Sequence, residues 1–248
     1  MHKNIYIGCC GWSYLRPKEF QTVLTKSYSS VLQAYAQLYG VVEVNSTFYR
    51  IPKLSTAQKW RQEASAINRS FQFTVKAYQG ITHIDRFGKK SRVQFESVKE
   101  VAAALNASVV LFQSPASFHP TGVNMKRMKA FFSDVERGGF ILAWESRGKW
   151  LDNPHALAEV CEECDLIHCV DPFRNQALSF SKSNIAYCRL HGFGKPSMYR
   201  YNFSEGELRD LRSLVQSMSQ ARRAIYVFFN NEFCYQNAIS FSKLADET

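Results

Sequence analysis

Eight short runs rich in apolar and β-branched residues recur along the chain, and most of the intervals between them show the apolar spacing of amphipathic helices. Strands that alternate with helices in this way are typical of a parallel sheet. The runs are apolar without strict alternation, which indicates strands covered on both faces, and eight units close a barrel more naturally than they fill an open sheet. The runs are 5–9, 41–44, 71–75, 108–112, 140–144, 166–170, 185–188 and 224–229.

The chain therefore reads as an α/β protein with a single (β/α)₈ TIM barrel, and we expect one domain over residues 1–248. Its length of 248 residues is close to that of a typical barrel of this kind. The sixth unit is shorter than the others, because only about 14 residues separate Asp171 from Ile185 and Pro172 lies near their start. Its helix is predicted to be short or missing.

Composition excludes some classes of protein. Hydrophobic residues make up 46% and charged residues 21% of the chain, and no apolar run approaches the roughly 18 residues that a membrane span needs. The first residues lead directly into a strand without the apolar segment of a signal peptide, so we expect a cytoplasmic protein with no membrane partner. The seven cysteines are an odd number and lie mostly in apolar runs, which argues against a disulfide framework.

The net charge is +10, with a sequence pI near 9.3. A basic surface raises the local concentration of polyanions, so a phosphorylated small molecule or a nucleic acid is the expected partner. The alternative is that the charges are solvated helix faces with no ligand. The basic groups along the chain are Lys89, Lys90 and Arg92; Lys126, Arg127 and Lys129; and Arg222 and Arg223.

Polar side chains gather where the predicted strands end. The segments 42–49, 144–147 and 189–192 each change within two or three positions from apolar residues to carboxylate, amide, guanidinium or imidazole groups. In a parallel barrel all the carboxyl ends of the strands meet at one face, where active sites are built. Buried charges cost free energy unless they are paired, so this set predicts an ion-pair network or a ligand site.

From these strand ends and the loops after them we select two groups of candidates. The candidate catalytic residues are Glu43, Lys76, Glu145, Asp171 and His191. The candidate substrate-binding residues are Trp12, Tyr14, Asn45, Thr47, Tyr49, His83, Gln113, Arg147, Arg189, Lys195, Asn230 and Asn231.

Three interpretations of this set stay open. Its carboxylates and imidazole could hold Mg²⁺, Mn²⁺ or Zn²⁺, which makes a divalent metal the one cofactor that the residues suggest. They could instead form a metal-free acid–base site in which Lys76, Arg147 and Arg189 supply positive charge to a phosphate or an oxyanion. In the third interpretation the charges are internal salt bridges with a structural role.

Near the strand ends the chain resembles the YecE-like family, also called domain of unknown function 72, whose known structures are TIM barrels. The segment 42–49 carries the most specific likeness, and 170–173 is similar to archaeal members. At 144–148, Trp-Glu-Ser-Arg-Gly stands where bacterial members usually have a Glu-x-Arg-His segment, which leaves any role of that histidine in doubt here. The resemblance implies a fold and a shared pocket, without a settled reaction. Its other segments are 7–14, 73–77, 81–83, 111–115, 189–192 and 229–231.

The function that we predict from these features is an enzyme acting on a phosphorylated or nucleic-acid substrate, as a repair-type hydrolase or lyase. One alternative is a metal-assisted sugar isomerase or epimerase that uses the carboxylates and His191. The other is a non-catalytic module that binds a small anion. A fold by itself does not choose between them.

Overall fold

Eight parallel strands form a closed barrel in which each strand pairs with the next and β8 pairs with β1. This computed structural model describes residues 5–177, 181–219 and 221–246. The predicted eight-stranded barrel is confirmed. The strands are β1 Ile5–Cys9, β2 Val41–Val44, β3 Gln72–Lys76, β4 Val109–Gln113, β5 Ile141–Glu145, β6 Ile167–Val170, β7 Ile185–Leu190 and β8 Ala224–Phe229.

Helices pack around the outside of the barrel and follow every strand except β6. Residues 171–177 and 181–184, which are the described part of the β6–β7 connection, contain no helix, as the short spacing predicts. None of the helices in the described ranges combines the length and apolar character needed to cross a bilayer. The helices are α1 Val31–Leu38, α2 Leu54–Ile67, α3 Lys89–Ala104, α4 Gly122–Asp134, α5 Pro154–Glu163, α6 Glu205–Ser219 and α7 Cys234–Asp246.

The barrel interior changes from apolar to charged along the strand direction. Its lower part is an apolar cluster that includes Val109, Leu111 and Phe228, while the outward-facing strand residues join a second, larger core beneath the helices. Because both faces of each strand are buried, the sequence shows no alternation until the last inward residue. That last residue is charged on several strands, which places Glu43, Lys76, Glu145 and Arg189 together at the carboxyl end.

The seam between β1 and β2 depends on a tyrosine from α1. Only two residue pairs join these strands, and a Cβ on Gly8 would lie 2.2 Å from the carbonyl oxygen of Val41. The buried hydroxyl of Tyr35 accepts a hydrogen bond from the backbone N–H of Cys9 at 2.8 Å and donates one to the carbonyl of Val41 at 2.9 Å. One side chain therefore satisfies a backbone group on each of the two strands.

Replacing Tyr35 with Phe should lower the free energy of unfolding by about 1–3 kcal/mol, because it leaves a buried donor and a buried acceptor unpaired. Chemical denaturation monitored by circular dichroism measures the change. Tyr28→Phe is the matched control, since Tyr28 is exposed on the β1–α1 loop. Equal stability of the two variants would show that the hydroxyl of Tyr35 does not close the seam.

Candidate active site

Arg189 on β7 is the centre of the site. Its side chain is 1% exposed, and its guanidinium contacts one oxygen of Glu43 at 3.0 Å and also pairs with Glu145. The other oxygen of Glu43 accepts a hydrogen bond from the hydroxyl of Tyr187 at 2.8 Å. Of the two outcomes that the charged strand ends predict, an ion-pair network is present around these two glutamates. We call the group Glu43, Glu145, Arg147 and Arg189 the ion-pair network.

Glu145 also forms an ion pair with a second arginine, Arg147. The Nε of Arg147 donates to Oε1 of Glu145 at 2.6 Å, so each carboxylate oxygen of Glu145 faces a guanidinium. Burial alone would raise the pKa of Glu145, but the charges of Arg189 and Arg147 outweigh it and hold the pKa well below its usual range. Glu145 therefore stays ionised and is a poor proton donor.

His191 lies beyond Arg147 and is neutral. Nη2 of Arg147 lies 3.0 Å from Nε2 of His191, and because a guanidinium only donates, that nitrogen must accept. Burial lowers the pKa of His191 despite the nearby carboxylate of Asp171, whose Oδ2 is 3.8 Å from its Nδ1. Asp171 itself faces Arg174 at 3.5 Å. The imidazole is thus available for proton transfer near neutral pH.

Lys76 differs from the other cations of the site because it has no carboxylate partner among the described residues. It is 6% exposed, and its Nζ lies 4.1 Å from the ring centroid of Phe48. Burial, together with the like charge of Arg189, lowers the pKa of Lys76 to about 8. A substantial fraction of this amine is therefore neutral in the physiological range, which is the condition for a nucleophilic or basic lysine.

The metal interpretation does not fit these residues. In the described part of the chain, no three His, Cys, Asp or Glu side chains come together in a way that could hold an ion. The carboxylates of Glu43 and Glu145 are both turned towards the guanidinium of Arg189, which already supplies the positive charge that a metal would bring. The observed site consists of glutamate–arginine ion pairs with a lysine beside them.

A cavity of about 870 Å³ opens beside the network, over the ends of β8, β1 and β2. Its lining includes Cys10. Burial raises the pKa of the Cys10 thiol, and the charges of Arg189 and Glu43 also act on this pKa. None of the four network residues lines the cavity, and Cys10 is the lining residue on which the network charges act. Of the candidate substrate-binding residues it brings together Trp12, Tyr14, Asn45, Tyr49, Asn230 and Asn231.

Other candidates hold the scaffold in place. The Oγ1 of Thr47 lies 2.7 Å from the carbonyl oxygens of both Val44 and Lys76, so it ties β2 to β3 beneath the site. His83 contacts Thr82 at 2.8 Å, and its pKa is lowered by burial and by the charge of Lys76.

Two further candidates border the network or lie apart from it. Gln113 ends β4 and pairs in register with Glu145. Lys195 is exposed on the β7–α6 loop, and no described contact joins it to the ion-pair network.

Sequence reasoning missed two inward-facing residues, Cys10 and Tyr187. Both follow the alternation of their strands, since Cys10 lies two positions after Gly8 and Tyr187 two before Arg189. The strand alternation alone therefore identifies both positions as inward-facing. Residue type alone does not mark these positions, since cysteine is commonly buried in protein cores and tyrosine is often partly buried.

The basic groups are distributed over several faces. Arg92 pairs with Asp134, Lys129 pairs with Glu159 and Glu163, and Arg223 immediately precedes β8 at the end of the barrel opposite the site. Lys89 begins α3 at the same end as the site. The loops at the carboxyl ends also carry cations that form no ion pair with a carboxylate of the described ranges, among them Arg50, Arg86, Lys149, Lys195 and Arg200.

A closed parallel barrel with its charged groups at the carboxyl ends of the strands defines the class of (β/α)₈ barrels. Within that class the chain belongs to the family described as Protein of unknown function DUF72, which it matches over residues 6–247. It is 27% identical over 268 residues to UPF0759 protein YunF of Bacillus subtilis, an alignment that covers 92% of this chain and 88% of YunF.

Solved structures of similar proteins agree with this fold. A DUF72 family protein of Thermotoga maritima has a TM-score of 0.76 at 23% identity, covering 98% of this chain and 100% of that one. A xylose isomerase domain protein of Planctomyces limnophilus has a TM-score of 0.57 at 10% identity, covering 97% and 95%. These likenesses show the fold alone. The narrower likeness of 170–173 to archaeal members is not tested by them and stays a prediction.

Replacing Glu145 with Gln should lower the free energy of unfolding by about 3–5 kcal/mol at neutral pH, because it leaves two buried guanidiniums without their shared carboxylate. The pKa of Glu145 is depressed in the folded state, so its contribution is present above the ordinary glutamate pKa of about 4.3 and is lost as the pH falls below it. The difference between variant and wild type should shrink with acidification. Urea denaturation at several pH values measures it.

Glu205→Gln is the control, because Glu205 forms an exposed pair with Arg209 on α6. It should change stability little at any pH. A constant difference between Glu145→Gln and wild type from pH 7 to pH 3 would contradict the ionised state assigned to Glu145.

Proposed function

We propose that this protein is a lyase in which Lys76 forms an imine with an aldehyde or ketone of a small phosphorylated substrate. The observation that carries the proposal is the environment of Lys76, a buried amine that has no carboxylate partner among the described residues, lies near a second cation and has a pKa of about 8. Amines placed in this way act as nucleophiles towards carbonyl carbon. The carboxylates that could have neutralised this amine, Glu43 and Glu145, are both paired with Arg189.

The covalent step begins with the neutral form of the amine. The lone pair of Nζ attacks the carbonyl carbon, and the electron pair of the C=O bond moves to oxygen, which takes up a proton. Water then leaves, the nitrogen loses its remaining extra proton, and a C=N bond is formed. Once protonated, this imine withdraws electrons from the neighbouring carbon, so that the next C–C bond can break and leave its electron pair in an enamine. Protonation of the enamine and hydrolysis by water restore the amine.

The other groups of the site have complementary roles. Arg147 is held by Glu145 and is the less buried of the two network arginines, so its guanidinium can meet a negatively charged oxygen of the substrate. Its hydrogen bond to Nε2 of His191 is then released, and the neutral imidazole can accept the hydroxyl proton that C–C cleavage requires. In this scheme Glu43 and Glu145 fix the two arginines and exchange no protons.

The loops around the site support an anionic substrate. Arg50, Arg86, Lys149 and Arg200 all lie on loops at the carboxyl end of the barrel, and none is paired with a carboxylate of the described ranges. Cations without partners attract a phosphate and raise its association rate. A small molecule is favoured over nucleic acid, because Lys76 is 6% exposed and Arg223 precedes β8 at the end of the barrel opposite the site.

A non-catalytic anion-binding module is the second candidate, and the same unpaired loop cations favour it. The two functions differ in whether Lys76 reacts. Salt dependence separates both from a nucleic-acid enzyme, since an oligonucleotide that releases several counterions should bind with a steep log–log dependence on salt.

Reduction with borohydride in the presence of phosphorylated aldehyde sugars should attach the sugar covalently to Lys76. Glyceraldehyde 3-phosphate, 2-deoxyribose 5-phosphate and glucose 6-phosphate are suitable probes, with an abasic oligonucleotide as the nucleic-acid arm. Peptide mass spectrometry should find Lys76 heavier by the mass of the aldehyde less one oxygen atom. The yield for at least one small sugar should exceed that for the oligonucleotide by about tenfold or more, since the amine is nearly buried.

Lys76→Met should abolish this labelling, whereas Lys126→Met on the exposed surface of α4 should leave it unchanged. Because burial disfavours the ammonium form, Lys76→Met should not reduce stability at pH 7. Labelling spread evenly over surface lysines would overturn the proposal. Binding of phosphate without any labelling would support the anion-binding module.

The rate of imine formation should rise with pH through about 8, the pKa of Lys76, and level off above it. The amine is protonated below this pH, so the rate should fall by about tenfold for each pH unit on the acidic side. Stopped-flow absorbance or timed borohydride quenching measures the profile. A midpoint near the ordinary lysine pKa of about 10.4 would show that the reacting amine is solvent-exposed.

A further inference from the structure

A second cavity, which we call the amino-end cavity, lies between the loops that precede β3 and β4 and has a volume of about 670 Å³. Gln72 begins β3 and Lys76 ends it, so about 13 Å of strand separate this cavity from the candidate active site. Its lining includes Arg61, Ser65, Arg69 and Gln72. No aspartate or glutamate is among the described residues that line it.

Arg61 on α2 is fixed at the wall of this cavity. Its Nη1 donates to the carbonyl oxygens of Phe71 and Leu105 at 2.8 and 3.4 Å, and its Nε donates to Oγ of Ser65 at 2.9 Å. The centroid of the Phe73 ring lies 5.0 Å from its guanidinium carbon. These contacts leave Nη2 without a hydrogen-bond partner within the described ranges. Burial lowers the pKa of Arg61, and no described carboxylate forms an ion pair with it, so its charge is held in place without being neutralised.

The polar groups beside Arg61 also have unused hydrogen-bond donors. The hydroxyl of Tyr226 donates to Oε1 of Gln72 at 2.9 Å, which orients the carboxamide and leaves the N–H groups of its Nε2 without described acceptors. Oγ of Ser65 accepts from Arg61, and its own proton goes to no described acceptor. Arg69 is exposed on the α2–β3 loop and forms no ion pair with a carboxylate in the described part of the chain. Unused donors beside an unneutralised charge suit an oxyanion.

We propose that the amino-end cavity binds the phosphate group of a small molecule, which accepts hydrogen bonds from Arg61, Arg69 and Gln72. A phosphate brings negative charge and several acceptor oxygens, and the planar guanidinium of arginine matches its geometry. The concave shape favours a small compound over a nucleic-acid strand. A free phosphate ion and a small phosphomonoester share this chemistry. The site is separate from the one proposed for catalysis, and the inference does not depend on Lys76.

Inorganic phosphate and glycerol 2-phosphate test this cavity without testing Lys76, because neither has a carbonyl group that could form an imine. Titration of the isotope-labelled protein should shift the backbone amide NMR signals of Arg69, Gln72 and Asn106 in a saturable way. A shift with both probes indicates recognition of the phosphate group, whereas a clear preference for one identifies the source. Residues near Lys76 give separate signals, so phosphate bound at the carboxyl end of the barrel is recorded independently.

Arg69→Gln should weaken phosphate binding at these signals by about tenfold or more, since it removes a charged donor. Arg127→Gln is the matched control, because it removes the same charge from an exposed position on α4 outside the cavity lining, and it should leave the affinity unchanged. Arg61→Gln should also weaken binding by about tenfold or more. Circular dichroism checks its fold, since Arg61 also donates to two backbone carbonyls, and Arg69→Gln tests the proposal even if Arg61→Gln does not fold.

Shifts that do not saturate, or that Arg127→Gln reduces as much as Arg69→Gln does, would overturn the inference, because they would show only a general attraction to the net charge. Binding of an oligothymidylate at these signals, without binding of either small phosphate, would overturn it in favour of a nucleic-acid surface. Saturable shifts combined with failed borohydride labelling of Lys76 would remove the lyase and keep the phosphate site, whereas labelling without these shifts would do the reverse.

Discussion

The placement of Arg189 between Glu43 and Glu145 is the interaction on which the site depends. Three charges that are almost completely buried would each be costly alone, and together they satisfy one another at the centre of the barrel. Arg147 adds a fourth charge from the loop after β5 and joins this core to His191. Because these three groups are paired with one another, neither glutamate is free to bind a metal or to exchange a proton, and Arg189 is not free to bind a substrate.

This pairing determines the surroundings of Lys76. It ends β3 in the same layer of the barrel, but the nearby carboxylates are already turned towards arginine, so the amine meets the ring of Phe48 and the like charge of Arg189. A stable protein gains nothing from a buried, unpaired amine, and an apolar residue would fill the place at lower cost. Groups that weaken a fold in this way are commonly retained for a reaction. The pairing of the four network charges therefore leaves Lys76 without a carboxylate partner among the described residues, which is the condition that the proposed reaction requires.

Much of the barrel follows from the sequence, and the reasons are local. The eight apolar runs predict the strand order, and the short interval after Asp171 predicts that the described parts of the β6–β7 connection, 171–177 and 181–184, contain no helix. The polar residues after each run predict the face that carries the site, since parallel strands all end at the same face. The pairing of each charge does not follow. Glu43 lies 146 residues from Arg189 in the sequence. Only the closed barrel shows that Glu43 and Glu145 both pair with Arg189 and that neither pairs with Lys76. Cys10 and Tyr187 were missed because their type reads as core, although their position in the strand alternation points inward.

The cavity, the lysine and the imidazole lie at the ends of different strands. The cavity with its aromatic and amide walls lies over β8, β1 and β2, Lys76 stands on β3, and Arg147 and His191 follow β5 and β7. Lys76 and His191, the nucleophile and the proton acceptor of the proposed reaction, are thus carried by different strands. Such a separation lets the binding surface vary on the loops of β1 and β8 without disturbing the surroundings that lower the pKa of Lys76.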